Sequence, residues 1–294
     1  MSDPICPICL VNIMNATKLA VPLLLAVAYG ASPVLAAPIL GSDLASFAVL
    51  GATGVTNVPF STIGGNLGSA PNPSVGGGYV FTSGSIQANT TLAQQAQLDL
   101  DAAILAINGM GPGLTIGPDL TGTIFPGIYT VPAAASNLSG ALILDGGGSN
   151  DAVWVFLFPS TLITSTTSTV TVVNVGGGEN VGLYWSVGSA ATLNGPTFAG
   201  NVLAPDIVSS DGSLTIGCGR LLSSEKQVTL NQDNISIGCV GIGFGSGGFD
   251  QGVDIGSGGT GGSGGHVVPE PASLALLGIG LAGLGATRRR KQAV

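Results

Sequence analysis

Short β-type segments separated by glycine-containing turns fill residues 40–240 and limit the folds that are open to this chain. The segments are rich in Val, Ile, Thr, Leu and aromatic residues, a composition typical of strands. Glycine contributes 49 of the 294 residues and recurs where sharp corners require a positive φ. Because the segments follow no strict short period, a simple hexapeptide or nonapeptide β-helix is not supported. The pattern leaves a β-sandwich and an irregular β-solenoid open.

The low content of charged residues and of histidine argues against several functions. Only 7% of the residues are charged, against about 25% in typical soluble proteins, and this favours a solenoid whose coils stack flat faces of small residues. Between Asp43 and Asp254, Arg220 and Lys226 are the only cations, which argues against nucleic-acid binding because phosphate contacts need Lys and Arg. The single histidine, His266, lies in a glycine run, so neither a histidine-based triad nor a histidine-ligated zinc site can be built.

The N-terminal region predicts a secretory signal peptide. In residues 16–36 a lysine precedes a short apolar run that ends at a small-residue cleavage site before Ala37. A retained N-terminal anchor is the alternative. The first 13 residues are unusual for a signal, so Met14 is an alternative start.

The C-terminal region carries a three-part pattern. Pro269, Glu270 and Pro271 precede an apolar run over 272–286, and a basic cluster at 288–291 follows. The pattern resembles the PEP-CTERM sorting signal of Gram-negative bacteria, which implies transient membrane anchoring, removal by an exosortase-type enzyme and a surface-associated or released product. A plain C-terminal anchor, with the basic cluster cytoplasmic, is the alternative.

These assignments divide the chain into four parts. We expect a signal peptide at 1–36, a folded domain at 37–240, a flexible glycine-rich linker at 241–266 and a sorting segment at 267–294. Cys218 and Cys239 remain in the folded part, and an even pair in an exported protein predicts a disulfide. Free buried thiols are the alternative.

One segment predicts an amphipathic helix. Residues 91–108 place Leu92, Ala96, Leu100 and further apolar residues on one face, with Gly109 as a stop signal. Thr91 and Gln94 fit a capping box at its start.

Four segments resemble the microbial ice-binding β-solenoid family: 40–71, the helix at 91–108, the stretch 152–174 and the block 183–236. The block containing TFAGNVLA, a Gly-Arg pair and VTLNQDNIS is the most specific. The resemblance implies a mainly β fold, an irregular discontinuous β-solenoid of triangular cross-section with one long helix packed alongside. It also implies coils that interleave N-terminal and C-terminal segments.

The implied function is adsorption to ice through a flat face that bears Thr and Ser hydroxyls. Neighbouring strands lie about 4.8 Å apart, close to a repeat distance of the ice lattice, and charged side chains would disturb the ordered water. Some family members carry Thr-Ala/Gly-X-Thr/Asn tetrads, which this chain matches only loosely. The residues predicted to contact ice are Ser189, Ala190, Ala191, Thr192, Ser213, Thr215, Thr229 and Asn231.

The threonine run, the aromatic residues and Arg220 are interpreted mainly as structural residues. The threonine run over 161–169 is either a second patch on the same face or, as we favour, a surface turn. Trp154, Trp185 and the neighbouring Phe156, Phe158 and Tyr184 are expected in the core or the helix interface. Arg220 is expected to bond backbone carbonyls at a corner of the fold.

The remaining function classes receive weaker support. The acidic residues are dispersed, so we predict no catalytic residues, no metal and no cofactor. The main alternative is a structural or adhesive protein of an exopolysaccharide matrix without ice activity. A regular hydroxyl ladder without aromatic residues would favour ice, and a groove lined by Trp and Tyr would favour sugar.

Overall fold

A computed structural model describes residues 39–239 and 246–251, which form a mainly β structure. The predicted signal peptide and sorting segment lie outside the described residues. Two helices occur in the described part, α1 (Ser42–Ala45) and α2 (Thr91–Asn108).

Twenty strands, most of them short, make up the rest of the regular structure. In chain order they are β1 (Phe47–Gly51), β2 (Gly54–Val58), β3 (Ser61–Gly64), β4 (Asn66–Ser69), β5 (Tyr79–Ser83), β6 (Ile86–Ala88), β7 (Leu114–Thr115), β8 (Gly122–Ile124), β9 (Gly127–Thr130), β10 (Ala141–Asp145), β11 (Val153–Phe158), β12 (Leu162–Ile163), β13 (Thr169–Val173), β14 (Gly182–Val187), β15 (Ala191–Leu193), β16 (Thr197–Ala204), β17 (Val208–Ser210), β18 (Thr215–Ser223), β19 (Gln227–Asn231) and β20 (Asn234–Ser236).

All pairings between these strands are parallel, and they form two sheets. The narrow sheet has five strands in the order β12-β15-β17-β19-β2, and the wide sheet has fifteen. Strands from the start of the chain pair with strands near its end: β1 with β18, β3 with β20 and β2 with β19. The order of strands in the sheets therefore differs from their order in the chain.

The wide sheet consists of two stretches joined by its two longest strands. The open stretch runs β8-β10-β13-β16-β18-β20-β3-β5, and it uses the first residues of β16 and β18. The covered stretch runs β7-β9-β11-β14-β16-β18-β1-β4-β6, and it uses the last residues of those two strands.

Glycines lie at the irregularity between the two stretches. The register between β16 and β18 shifts between Phe198 and Gly200, and Gly200 has a φ of 93°. A Cβ atom at Gly200 would collide with the Leu183 side chain, and one at Gly219 would collide with the backbone of Gly200. Only glycine allows this bend and this close approach of neighbouring strands.

Helix α2 packs on the covered stretch. The helix spans the predicted residues and buries Ala93, Ala96, Leu100, Ala103 and Ile107. These side chains share a core cluster with residues of β1, β14, β16 and β18. The predicted capping box is wrong by one residue: Thr90 is the N-cap and its hydroxyl accepts from the Ala93 N–H at 3.3 Å. Gln94 donates instead to Asn89.

A column of aromatic side chains runs through the interior. Tyr129, Phe156, Trp185 and Phe198 follow one another from neighbouring strands, with ring centroids 5.6, 4.5 and 4.9 Å apart. Trp154 and Trp185 are fully buried, as are Phe156 and Tyr184. The prediction that these aromatic residues belong to the core or the helix interface is confirmed, and none of the four offers a platform for a sugar ring.

Arg220 joins the C-terminal segment 246–251 to the body of the structure. Its side chain is completely buried and forms a 3.1 Å ion pair with Asp250. It also donates to the Asn201 side chain and to backbone carbonyls of Ala45, Gly247 and Gly248. Burial lowers the pKa of Arg220, and the Asp250 carboxylate acts in the opposite direction. The predicted carbonyl contacts of Arg220 are confirmed.

Segment 246–251, which the sequence assigns to the linker, packs against the covered stretch. Phe249 is 2% exposed, and its carbonyl accepts from Leu183 N–H. Asp250 forms an isolated antiparallel β-bridge with Gly182. The predicted disulfide between Cys218 and Cys239 is present just before this segment.

Replacement of Asp250 tests the importance of the buried ion pair. Asp250→Asn leaves the Arg220 charge without its partner, so we expect the free energy of unfolding to fall by about 3 kcal/mol or more. Urea unfolding of the full chain with the disulfide intact measures this loss. Glu179→Gln, which removes an exposed carboxylate, is the matched control and should change stability by less than about 0.5 kcal/mol. Equal unfolding midpoints for the two variants would contradict the prediction.

Candidate functional site

Four of the eight residues predicted to contact ice lie on the outward side of the narrow sheet or directly before one of its strands. Thr192 lies in β15, and Thr229 and Asn231 lie in β19. Ala190 is two residues before Thr192 and therefore projects from the same side of its strand. All four are partly exposed. The tertiary structure thus brings together residues that lie about 40 positions apart in the chain.

A straight row of outward side chains crosses all five strands of the narrow sheet. Successive pairs in register are Ile163 with Thr192, Thr192 with Ser209, Ser209 with Thr229, and Thr229 with Thr56. We call these five residues the narrow-sheet row. Four of its five members carry a hydroxyl group, and none carries a charge.

Hydrogen bonds along the row fix the orientation of its hydroxyl groups. Ser209 Oγ donates to Thr192 Oγ1 at 3.4 Å, and Thr56 Oγ1 donates to Thr229 Oγ1 at 3.2 Å. Beneath the row, residues that alternate with it point inward and are buried. These are Leu162, Ala191, Leu193, Val208, Val228, Leu230 and Val55. The row therefore rests on a packed core, which restricts the movement of its strands.

The other four predicted residues do not belong to this group. Ala191 lies in β15 of the narrow sheet, but its side chain is completely buried. Ser189 lies in the turn before β15, and Ser213 occupies the turn before β18 with a φ of 57°. Thr215 is exposed but belongs to the open stretch of the wide sheet, where it pairs with Thr197 and Asn234.

The threonine run over 161–169 does not form one patch. Thr164 is 1% exposed and accepts a hydrogen bond from Asn194 N–H at 2.9 Å. Thr166 and Thr167 lie in the corner between β12 and β13. Thr169 begins β13 in the open stretch. The run thus passes from one sheet to the other around a corner.

Sequence reasoning missed three members of the narrow-sheet row, Ile163, Ser209 and Thr56. A signal for two of them exists, because each hydroxyl residue of the row follows a small or branched apolar residue that faces inward. The triplets are Ala191-Thr192-Leu193, Val208-Ser209-Ser210, Val228-Thr229-Leu230 and Val55-Thr56-Asn57. Aligning these triplets would have identified Ser209 and Thr56.

Asp233 braces the corner between the narrow sheet and the open stretch. It is 1% exposed, and its carboxylate accepts from the Ser210 hydroxyl and from the N–H groups of Asn231 and Leu214. Its own N–H donates to Ser61 Oγ at 2.9 Å. Burial raises the pKa of this carboxyl, and the hydrogen bonds from Ser210, Asn231 and Leu214 lower it. The Asp233 side chain thereby bonds three groups at the corner, and its backbone N–H bonds a fourth.

The described residues offer little for other chemistry. Residues 39–239 and 246–251 contain no group of three His, Cys, Asp or Glu side chains that could hold a metal ion. Within the same residues, no helix has both the length and the apolar character needed to span a bilayer. Of the two cations described, Arg220 is buried in its ion pair and Lys226 is exposed in the turn before β19.

The fold and the row together define a mainly β protein that presents a regular, uncharged row of hydroxyl-bearing side chains. Comparison with known proteins identifies its family. Residues 49–236 match the Ice-binding-like family, and residues 267–291 match the PEP-CTERM protein-sorting motif. The chain belongs to the Ice-binding-like family.

Two relatives illustrate the similarity. An ice-binding protein of Nostoc sp. (strain HG1) is 34% identical over 244 residues, which cover 81% of this chain and 82% of that protein. An ice-binding protein of Flavobacterium frigoris (strain PS1) is 27% identical over 218 residues, covering 66% of this chain and 74% of that protein.

Solved structures of ice-binding proteins share the fold. The protein from the Antarctic ascomycete Antarctomyces psychrotrophicus superimposes with a TM-score of 0.58 at 30% identity, covering 67% of this chain and 96% of that one. A protein from an Antarctic biological consortium has a TM-score of 0.61 at 27% identity, covering 70% and 93% of the two chains.

Removal of the Asp233 carboxylate tests its role at the corner. Asp233→Ala leaves buried donors without an acceptor, each at about 1–3 kcal/mol, so we expect the free energy of unfolding to fall by about 2–4 kcal/mol. Asp233→Asn keeps one acceptor oxygen and should lose less. Denaturant unfolding distinguishes them, with exposed Asp211→Ala as the control. A loss for Asp233→Ala no larger than the loss for Asp211→Ala would refute the bracing role.

Proposed function

We propose that this protein adsorbs to ice through the narrow-sheet row and thereby inhibits ice growth or recrystallisation. The observation that carries the proposal is the register of Thr192, Ser209, Thr229 and Thr56 across neighbouring strands. Strand spacing places their hydroxyl groups at intervals of about 4.8 Å, close to a repeat distance of the ice lattice. Membership of the Ice-binding-like family and the names of the similar proteins support the same function.

The chemistry of the row suits an ordered layer of water. Hydroxyl groups exchange hydrogen bonds with water, and the methyl groups of Thr192, Thr229 and Thr56 lie beside them to support a water cage. A charged side chain would orient water around itself, and the row has none. Since many waters are held at once, adsorption becomes effectively irreversible, and growth of the crystal is confined to curved fronts between bound molecules.

The proposed architecture is an irregular, discontinuous β-solenoid of triangular cross-section. In this arrangement the open stretch, the covered stretch and the narrow sheet are the three faces, and α2 packs along one of them. Three parallel pairings support the proposal, because each joins a strand to one that comes two or three strands later in the chain. They are β13 with β16, β14 with β16, and β15 with β17. Pairing of β1 with β18 and β3 with β20 is the expected discontinuity.

The proposed ice-contacting surface consists of the narrow-sheet row and two further residues that the sequence predicted. They are Ala190, Thr192, Ser209, Thr229, Asn231 and Thr56, with Ile163 at the edge. We propose no catalytic role and no cofactor for this surface, because adsorption to ice requires neither. An exopolysaccharide-binding role has no support from the buried aromatic residues.

We propose an exported protein with a cleaved signal peptide at 1–36 and processing of the C-terminal segment by an exosortase-type enzyme. The PEP-CTERM match over 267–291 supports this route. The mature product would be released or attached at the cell surface. We also infer that the folded domain extends beyond 240, through the packed segment 246–251, so that the linker starts after it.

Partition of the purified full chain into slowly growing ice tests the proposed function. The protein should become enriched in the ice fraction and arrest recrystallisation in the same sample. A folded chain that is excluded from ice would overturn the proposal, and polysaccharide pull-down would then examine a matrix role.

A bulky substitution in the row tests the proposed surface. Thr192→Tyr places a large ring on the proposed flat face, so we expect a large reduction of ice adsorption without loss of fold. The matched control is Thr91→Tyr at the exposed first residue of α2, on the covered side. Circular dichroism and thermal unfolding establish that both variants are folded. Wild-type adsorption by Thr192→Tyr would show that this surface is wrong.

A substitution in the sorting motif tests the proposed processing. Glu270→Ala should block removal of the C-terminal segment, because that glutamate is the charged member of the Pro-Glu-Pro motif. Mass spectrometry of the protein from the envelope and the medium of an exosortase-containing host measures the result. Ser263→Ala, in the glycine-rich region before the motif, should be processed normally. Identical products from the two variants would contradict the assignment.

A further inference from the structure

A second row of outward side chains crosses the open stretch of the wide sheet. Its members are paired in register from β10 through β13, β16, β18, β20 and β3 to β5. In order they are Ala141, Thr169, Thr197, Thr215, Asn234, Thr62 and Val80. We call these residues the wide-sheet row. It spans seven strands, compared with five for the narrow-sheet row.

The chemistry of the wide-sheet row matches that of the narrow-sheet row. Thr169, Thr197 and Thr215 occupy three neighbouring strands, and the whole row contains no ionisable side chain. Thr197 and Thr215 are exposed. Beneath the row the alternate residues are buried, as on the narrow sheet. These are Leu142, Val170, Phe198, Ile216, Ile235 and Ile63.

A parallel set of side chains widens this surface at one end. Ile143 and Thr171 follow Ala141 and Thr169 by two residues in β10 and β13, and Ile143 pairs in register with both Thr171 and Thr123 of β8. Thr123, Ile143 and Thr171 are exposed. Together with Thr169 and Thr197, Thr171 forms a two-dimensional patch of hydroxyl and methyl groups, which is the pattern that water in a lattice plane can match.

Short corners connect the two rows and hold them in a fixed relation. Residues 194–196 join β15 to β16, and residues 211–214 join β17 to β18. Asp233 bonds groups on both sides of the latter corner, namely the Ser210 hydroxyl and the Leu214 N–H. Each of these corners changes the chain from one sheet to the other, so the two rows lie on different sheets.

We propose that the open stretch is a second ice-adsorbing surface, which engages an ice plane different from the one bound by the narrow sheet. This proposal rests on the proposed function of the narrow-sheet row. Ice is favoured over a protein or polysaccharide partner because the wide-sheet row has no charge and no Trp or Tyr. Protein partners are typically anchored by aromatic and Arg residues at the centre of the interface, and the centre of this surface is Thr197, Thr215 and Asn234.

Four variants of the full chain separate the two surfaces. Thr192→Tyr alters the narrow sheet, Thr197→Tyr alters the centre of the wide-sheet row, and the double variant alters both. Thr91→Tyr at the start of α2 is the control for a new exposed tyrosine. Each variant is labelled with a fluorophore, and two quantities are measured: the fraction partitioned into ice and the planes labelled on a single ice crystal. Circular dichroism and thermal unfolding establish that each variant is folded.

The expected result is a reduced but measurable ice-bound fraction for Thr192→Tyr, with one set of planes lost, and background adsorption for the double variant. Thr197→Tyr alone should lose the other set of planes. Complete loss of adsorption in Thr192→Tyr, or wild-type labelling by Thr197→Tyr, would overturn the second surface while the proposed function stands. Failure of the unaltered chain to enter ice would overturn the proposed function and the second surface together.

Discussion

Parallel, in-register pairing between neighbouring strands is the constraint on which the other features of this structure depend. Backbone hydrogen bonds set the separation of the strands at about 4.8 Å, and the register then determines which side chains become neighbours. Thr192, Ser209 and Thr229 form a row only because their strands pair residue for residue. A shift of one residue would turn every outward hydroxyl inward and bring the buried Val208 and Val228 to the surface.

The interior maintains this register over many strands. Aromatic rings from Tyr129 to Phe198 pack against one another in the core, so the strands cannot slide without loss of packing. Arg220 attaches the segment 246–251 to β18, close to the point where β1 joins that strand. The buried charge is tolerated because Asp250 and several carbonyls surround it. The positions of the exposed rows are thus maintained by contacts in the core and around Arg220.

The distribution of covered and exposed surface then determines which chemistry is available. Helix α2 buries the covered stretch, whereas the outward rows of the narrow sheet and the open stretch consist of Thr, Ser, Ala and Asn with Ile and Val at their edges. Adsorption to ice needs an extended surface of weak, regular contacts, and charged groups would disturb it through their own hydration. The low charge of the chain and the uncharged rows are two expressions of the same requirement.

The sequence by itself determined the mainly β class, the helix at 91–108 and the burial of the aromatic residues, because local periodicity and composition encode them. Its pair of cysteines in the folded part predicted the disulfide that the structure contains. The motif at 183–236 also indicated the family. Only the tertiary structure decided which hydroxyl residues share a surface. Thr56 joins Thr229 across 173 residues, and Thr215 belongs to a different sheet from Thr192. Such neighbours depend on register between strands that are remote in the chain, which local sequence patterns do not specify.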